Sequence, residues 1–430
     1  MAGGTFGGGT GTSADPYLVE DAADLNAVRN DLTAYYKQTA NIDLSGYYPN
    51  WDPIGNVDSG PPFTGGYDGN YKEISNLNVS RSDSYIGLFS LLFGANVQKI
   101  KIPDANVSGT GSYQRAGLLA GAIYDSEVAA NVSECFAEGI VSGAYAGGFI
   151  GQIAGGDVSR SCFGGEVTGK DEAGGFSCYI SGSVSNCYAH GRVIGGGSER
   201  SSLGGFAYQI NDGASVSNCY AATTVEVIED PSSESAGFAT LNTGSVSNCY
   251  YDITLSGQAD NGIGTPLSSG AMKSQDSYSG WDFVDTWGLK AGVNDDYPFL
   301  KGLVPAEIAL KALKAPEVLT KEFRSANPNI YLWFPRVSYL STGPGLHFRV
   351  QVYEDEAMAT LIDEVSSDVG DDFYYHLLSD GDKESGRWHA ITVSGVPDYW
   401  YTLYNLLIKA QIAIGPRRNV YVRASVGYDG

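Results

Sequence analysis

Four kinds of side chain in this 430-residue sequence could do chemistry: cysteines, histidines, aspartates near glycine-rich turns, and a few arginines. Cysteine and histidine together could hold zinc. The sequence has no paired CxxC or CxxxH spacing, however, and His190, His347, His376 and His389 are scattered, so no metal site is expected. A Ser-His-Asp assembly finds no support in His190, which follows Tyr188-Ala189 in a repeated phrase where other copies place Glu138, Gly165 and Ala222. Glycoside hydrolysis needs two carboxylates flanking one sugar bond, and lyase chemistry needs a basic side chain with calcium on clustered aspartates. Asp68, Asp104, Asp157 and Asp171 fall in separate stretches, Asp68-Gly69-Asn70 reads as turn chemistry, and Arg115, Arg160, Arg192 and Arg200 stand alone. The glycine-rich phrases lack the GxxxxGK[ST] order of a phosphate loop. Neither a catalytic residue nor a cofactor is expected.

The same residues become informative once the elements that must position them are considered. From Tyr85 to Tyr251 two phrases alternate. One is glycine-rich and apolar, as in Ile86-Gly87-Leu88-Phe89, Ala116-Gly117-Leu118-Leu119, Gly147-Gly148-Phe149-Ile150, Gly174-Gly175-Phe176, Gly204-Gly205-Phe206 and Ala236-Gly237-Phe238. The other reads Val132-Ser133-Glu134-Cys135, Val184-Ser185-Asn186-Cys187, Val216-Ser217-Asn218-Cys219 and Val246-Ser247-Asn248-Cys249, with a version carrying one extra residue that ends in Ser161-Cys162. Steps of 27, 25, 32 and 30 residues separate Cys135, Cys162, Cys187, Cys219 and Cys249, a spacing that belongs to repeat architectures. Short alternating apolar runs bounded by Gly, Ser and Asn make each unit two or three strands. Such units bury a core only by stacking, at about 4.8 Å per coil. The expected fold is all-β, a parallel β-solenoid.

If Leu77, Ile100, Cys135, Cys162, Cys187, Cys219 and Cys249 share one site, that site is a core ladder and its thiols are buried and unpaired. Val three positions earlier also points inward, which places Asn186, Asn218 or Asn248 at a bend. The next residue then faces out, giving an aromatic row of Phe136, Phe163, Tyr188, Tyr220 and Tyr250. This row is the expected binding surface. It could face sugar rings, or it could pack on loops or a neighbouring subunit, and the packing role is favoured because cross-coil stacking stabilises a solenoid unaided.

Charge narrows the partners. Residues 305–430 hold 12 basic and 16 acidic side chains, and the remainder holds 14 against 33, so the acid lies on the repeats. Phosphate binding needs a basic patch, and nucleic acid is not expected as a partner. No apolar run of about 20 residues suggests membrane insertion, and Met1-Ala2-Gly3-Gly4 lacks the marks of a signal peptide unless Met1 replaces one.

In chain order, residues 1–13 read as a flexible glycine-rich arm, and 14–300 as the solenoid with its caps. Within the latter, Asp21 opens a helix with Leu25, Val28 and Leu32 on one side, and the bulky residues from Met272 to Leu300 form a C-terminal cap. Gly11-Thr12-Ser13-Ala14-Asp15-Pro16-Tyr17-Leu18-Val19, Ile42-Asp43-Leu44-Ser45, Trp51-Asp52-Pro53-Ile54-Gly55, Phe63-Thr64-Gly65-Gly66-Tyr67-Asp68-Gly69-Asn70 and Ile74-Ser75-Asn76-Leu77 lead into the Gly-Gly-Phe and Val-Ser-Asn-Cys-Tyr repeats. This order, over about residues 10–300, resembles GLUG-motif proteins. The chain drifts from the Gly-Leu-Val-Gly form of the motif to Gly-Gly-Phe, and carries no peptidase domain of the kind attached to some members.

A linker at 301–316 and a β-sandwich at 317–430 complete the division. Strands are expected at 329–334, 346–353, 359–365, 373–378, 389–393 and 419–426, in an order similar to a fibronectin type III module, with a helical insertion at 399–412. The resemblances imply a non-enzymatic phage virion protein, namely a tail fibre, appendage or capsid decoration acting in host attachment and located in the virion. The alternative is a bacterial surface adhesin or filament subunit, and the third reading is a glycan-active enzyme. Partners so implied are other virion or surface proteins, further copies of this chain, and host glycans.

Overall fold

The structure is a computed structural model that describes residues 6–47, 50–125, 129–195, 201–227 and 233–303, together with six strands beyond them. The chain divides into two compact units, Met1–Ala306 and Glu307–Gly430. In the first unit the repeats wind into a parallel β-solenoid with three sheets. The first sheet collects the Val-Ser-Asn strands in nine rungs, from Tyr17–Val19 through Tyr35–Gln38, Gly66–Asp68 and Asn96–Gln98 to Ser245–Ser247. Beyond it lie the longer strands of the second sheet, such as Phe136–Gly147 and Cys162–Gly174. The third sheet runs from Phe89–Phe93 through Ala120–Tyr124, Ile150–Ile153, Ser177–Ile180 and Ala207–Ile210 to Ala239–Asn242.

Two sequence features make the corners. Between the first and second sheets, Lys99, Glu134, Arg160, Asn186, Asn218 and Asn248 all take a left-handed conformation with φ between 47° and 56°, and Asn76 does the same, at 58°, where the short strand Ile74–Ser75 meets the second sheet. Asparagine tolerates this region better than other side chains with a Cβ, as the expected bend requires. Between the second and third sheets the Gly-Gly-Phe phrase turns the chain inward. A Cβ on Gly175 would stand 2.1 Å from the carbonyl oxygen of Gly205, so a side chain there would block the stack. The residue after that glycine fills the core: Phe149, Phe176, Phe206 and Phe238 stack with ring centroids 5.0, 5.0 and 4.9 Å apart. That spacing matches the strand separation of the sheets, so each ring rests on the ring of the next coil.

The ends differ from the expectation. Residues 6–13 are not a free arm: Gly7 N–H donates to Leu18 O at 3.0 Å, Leu18 N–H to Gly8 O at 2.9 Å, and Phe6 stacks on Tyr17 at 4.8 Å. The backbone groups of the first strand are thereby satisfied, which outweighs the entropy of ordering these glycines. The helix forms at Ala22–Ala27, with the Asp21 carboxylate accepting from Ala23 and Asp24 N–H and with Leu25 and Val28 fully buried, but it closes in the 3-10 turn Val28–Asn30, so Leu32, expected on the same side, lies beyond it. At the other end the assigned linker begins too early, since Leu303 is buried in the first unit.

The described residues of the second unit form two three-stranded antiparallel sheets. In one, Leu346–Tyr353 is central between Leu361–Val369 and Tyr421–Tyr428. In the other, Ile408–Gln411 lies between Asn329–Leu332 and Ala390–Thr392. The helix assigned to 399–412 is thus overturned at Ile408–Gln411, where cross-strand pairing prevails over an apolar spacing that also fits a helix. The remainder of that helix and the strand at 373–378 fall outside the described residues.

Candidate functional site

The core ladder is present with one substitution. Leu77, Ile100, Cys135, Cys187, Cys219 and Cys249 are buried, and the thiols of Cys135, Cys187, Cys219 and Cys249 donate to the carbonyl two residues earlier at 3.2 to 3.3 Å. Cys162 is not in this ladder. Val158 pairs with Val132 and Cys162 with Phe136, so the ladder site of that coil belongs to Ser161, whose hydroxyl makes the same bond to Ser159 O at 2.9 Å. Matching the phrases on cysteine had shifted this coil by one residue. All six cysteines are buried and unpaired, and burial pushes the thiols of Cys135 and Cys162 up to about 12.

The same slip corrects the aromatic row. Phe163 pairs with Ala137 and Ala189, points into the core and is 1% exposed, while Cys162 takes its place in the row. Phe136, Tyr188, Tyr220 and Tyr250 do leave the coil on its outer side, but they are not a free surface: Phe136 is half-buried and the three tyrosines are buried. The segment from 272 to 303, assigned as an end cap, lies along the side of the stack and covers them. Trp281 Nε1 donates to Asn248 O at 2.9 Å, Trp287 Nε1 to Asn186 Oδ1 at 3.3 Å, Tyr220 Oη to Pro298 O at 2.7 Å, and Arg160 to Thr286 Oγ1 at 3.2 Å. His190 lies under the same strap, 3.5 Å from Asp295 and beside the Tyr297 ring. Of the two roles open in the sequence, packing on a loop is the one this row performs.

The isolated arginines are also corrected. Arg160 meets Glu134 at 3.5 Å, and Arg192 lies between Glu166 and Glu226. Arg200 is outside the described residues. Asp68 and Asp104 lie in different coils, whereas Asp157 and Asp171 lie on consecutive strands of one coil, a correction to their expected separation, and belong to different sheets of it. Among the described residues no three His, Cys, Asp or Glu side chains converge as a metal set.

Arg115 leads to a patch that sequence reasoning missed. Parallel pairing places Tyr85, Arg115, Tyr145 and Glu172 side by side on four successive coils, at the end of the second sheet just before the glycine corner. Its guanidinium carbon lies 5.8 Å from the Tyr85 ring centre and 5.5 Å from that of Tyr145, a cation between two aromatic faces. The chain then turns back on itself. Because Gly121 has no side chain, which would stand 2.6 Å from the Ile86 nitrogen, the third sheet lies close against this row and adds its own polar aromatics. The Tyr124 and Tyr85 hydroxyls are 3.3 Å apart, Tyr124 Oη donates to Gln152 at 3.4 Å, the Tyr145 and Tyr179 rings are 6.0 Å apart, and the Tyr179 and Tyr208 rings 5.5 Å. Tyr179 Oη donates to the Glu172 carboxylate.

Electrostatics in the patch follow from partial burial. Glu172 has its pKa raised, first by desolvation and then by Asp171, against the lowering pull of the Tyr179 hydrogen bond and Arg115. Burial raises the hydroxyls of Tyr124 and Tyr208 to about 12, so they stay protonated and can donate. Arg115 Nε is buried and has no hydrogen-bond acceptor among the described residues. Each patch residue sits in a different phrase, several of them near Gly-Gly turns, and only the coil register reveals that they meet.

No family model matches the chain. Among curated proteins it is similar to one of Evansella cellulosilytica named "Putative Gly-rich membrane protein", 29% identical in an alignment of 406 residues covering 68% of this chain and 45% of that one. It is also similar to halomucin of Haloquadratum walsbyi, 36% identical over 126 residues, which is 26% of this chain and 1% of that protein. The chain spans less than half the length of either relative. Among solved structures it is similar to a "putative immunoglobulin A1 protease" from Bacteroides ovatus, with a TM-score of 0.54 and 20% identity over 69% of this chain and 95% of that one. At that identity the likeness is one of fold, and the chain is a parallel β-helix protein.

Proposed function

We propose that the chain is a non-enzymatic β-solenoid displayed at a surface, where it acts in attachment or recognition. The observation that carries this reading is the unbroken register of nine parallel rungs with stacked core ladders, a stiff body in which Arg160 pairs with Glu134 and Arg192 with Glu166 and Glu226 across neighbouring coils. The names of the relatives, a membrane protein and a halomucin, favour a cell-surface setting. The virion setting, with the chain as a tail fibre, appendage or capsid decoration, stays as the second reading because the repeat order fits it equally. In either setting the partners are neighbouring surface or virion proteins, copies of this chain, and glycans.

Mass spectrometry of cell envelopes, cytosol and purified phage particles tests the reading. Enrichment in envelopes is the expected result, enrichment in particles alone selects the second setting, and recovery in cytosol alone overturns both. Incubation of the intact chain with host polysaccharides should release no reducing ends or unsaturated sugars. Turnover that disappears in Asp157→Asn or Glu172→Gln would make the chain an enzyme.

A further inference from the structure

We infer that the patch at the glycine corner is a binding site for a neutral, hydroxyl-rich glycan chain laid along the coil axis. The inference rests on the recognition reading above and names its ligand class. Tyr85, Arg115, Tyr145 and Glu172 occupy consecutive rungs, so at about 4.8 Å per rung they form a strip roughly 14 Å long. That is long enough for a short run of linked pyranose rings, whose own repeat is close to the rung spacing. The three chemical demands of such a ligand are met side by side. Half-buried tyrosine faces, at Tyr85, Tyr145 and Tyr179, suit the C–H faces of sugar rings. Glu172, Gln152 and the tyrosine hydroxyls accept from sugar hydroxyls and, apart from the carboxylate, also donate to them. Arg115 Nε–H is a buried donor with no acceptor among the described residues, and leaving it unmet costs free energy that an oxygen from a ligand would recover.

Charge sets the class. Asp171 and Glu172 both act on the same ring as Arg115, that of Tyr145, and the repeats carry the acidic excess of the chain, so a uronate or sialylated chain is repelled. The tyrosine faces also separate this site from the row under the strap. Tyr188, Tyr220 and Tyr250 are covered, whereas the corner tyrosines retain accessible surface and Tyr113 beside them is 78% exposed.

Saturation-transfer NMR on the full chain tests the site, with a hexamer of 1,4-linked glucose, a hexamer of 1,4-linked N-acetylglucosamine, and polygalacturonate as the anionic arm. Transfer to at least one neutral hexamer and none to polygalacturonate is expected. Tyr145→Ala and Tyr179→Ala should each weaken binding at least about tenfold. Arg115→Lys, which keeps the charge but loses the planar fork, should weaken it too, while Tyr71→Ala at a different corner should leave it unchanged. Circular dichroism confirms that each variant is folded. Absence of transfer to both neutral hexamers, preference for polygalacturonate, or equal affinity in Tyr145→Ala overturns the site. These readouts use the purified chain, so they stand or fall independently of where the protein is located.

Discussion

Asn186, Asn218 and Asn248 show how one residue per coil sets a corner. Each holds φ near 52°, and Asn248 Nδ2 donates to Asn218 Oδ1 at 3.2 Å, so these two amides also bond along the stack. Asn218→Ala should cost about 1 to 2 kcal/mol, because alanine meets the full steric penalty of the left-handed region, while Asn218→Gly should lose little more than the amide bond. Urea melts of the two variants check the order. At the ladder site, Ser161 already does in one coil what cysteine does in the others. Cys187→Ser should therefore change stability by no more than about 1 kcal/mol, since its hydroxyl finds the Ser185 carbonyl. Thiol labelling of the native chain should be slow at all six cysteines and fast after denaturation; rapid native labelling of Cys187 or Cys219 would contradict their burial. The bend and most of the ladder were legible in the sequence because each repeats one type at one place. Ser161 was not, since the neighbouring Cys162 offered a better match by type; pairing on the left-handed residue, Arg160, gives the correct register.

At the scale of elements, the strap from 272 to 303 is held by aromatic packing. Trp287 is buried between Tyr188 and Tyr220, with centroids at 6.2 and 6.0 Å, and stacks on Trp281 at 4.2 Å. Trp287→Ala should destabilise the first unit by about 3 to 5 kcal/mol. It should also expose Cys162, which lies in the row beneath the strap, to labelling before Cys187 or Cys219, which lie inside the coil. His190 adds a pH dependence. Desolvation lowers its pKa, Asp295 and the Asn294 side chain oppose this, and Lys273 reinforces it. A base with a folded pKa below its unfolded value binds protons more readily when unfolded, so its contribution is complete above the ordinary value near 6.5 and is lost as pH falls from there through the lowered folded value. The melting temperature should thus drop more between about pH 7 and pH 5 in the wild type than in His190→Gln. The sequence marked these aromatics as a cap but gave no sign of where they lie, because irregular spacing carries no register.

For the whole molecule, solenoid and second unit were both readable from periodicity, which changes from repeated phrases to unrepeated strands after residue 300. The aromatic patch was not, because its members come from five coils and two sheets and no local pattern joins them. Fragments 1–306 and 307–430 should each melt cooperatively, whereas 130–200, which lacks neighbours on both sides, should not fold. Calorimetry of the three pieces decides this, and a cooperative transition in 130–200 would show that a coil needs no neighbour.

Tension applied to the ends of the first unit would meet the strap in a different way from heat. A bare stack coupled only through nearest neighbours should peel rung by rung and give a staircase of small force drops. Here Arg160, Asn186, Tyr220 and Asn248, on four different coils, are all fastened to the one segment through Thr286, Trp287, Pro298 and Trp281. Those coils should resist together and release in a single large rip, and Trp287→Ala should restore the staircase. A rod anchored at one end and pulled at the other would then behave as a stiff tether up to one threshold force, with its weakest link in a side strap of aromatic rings.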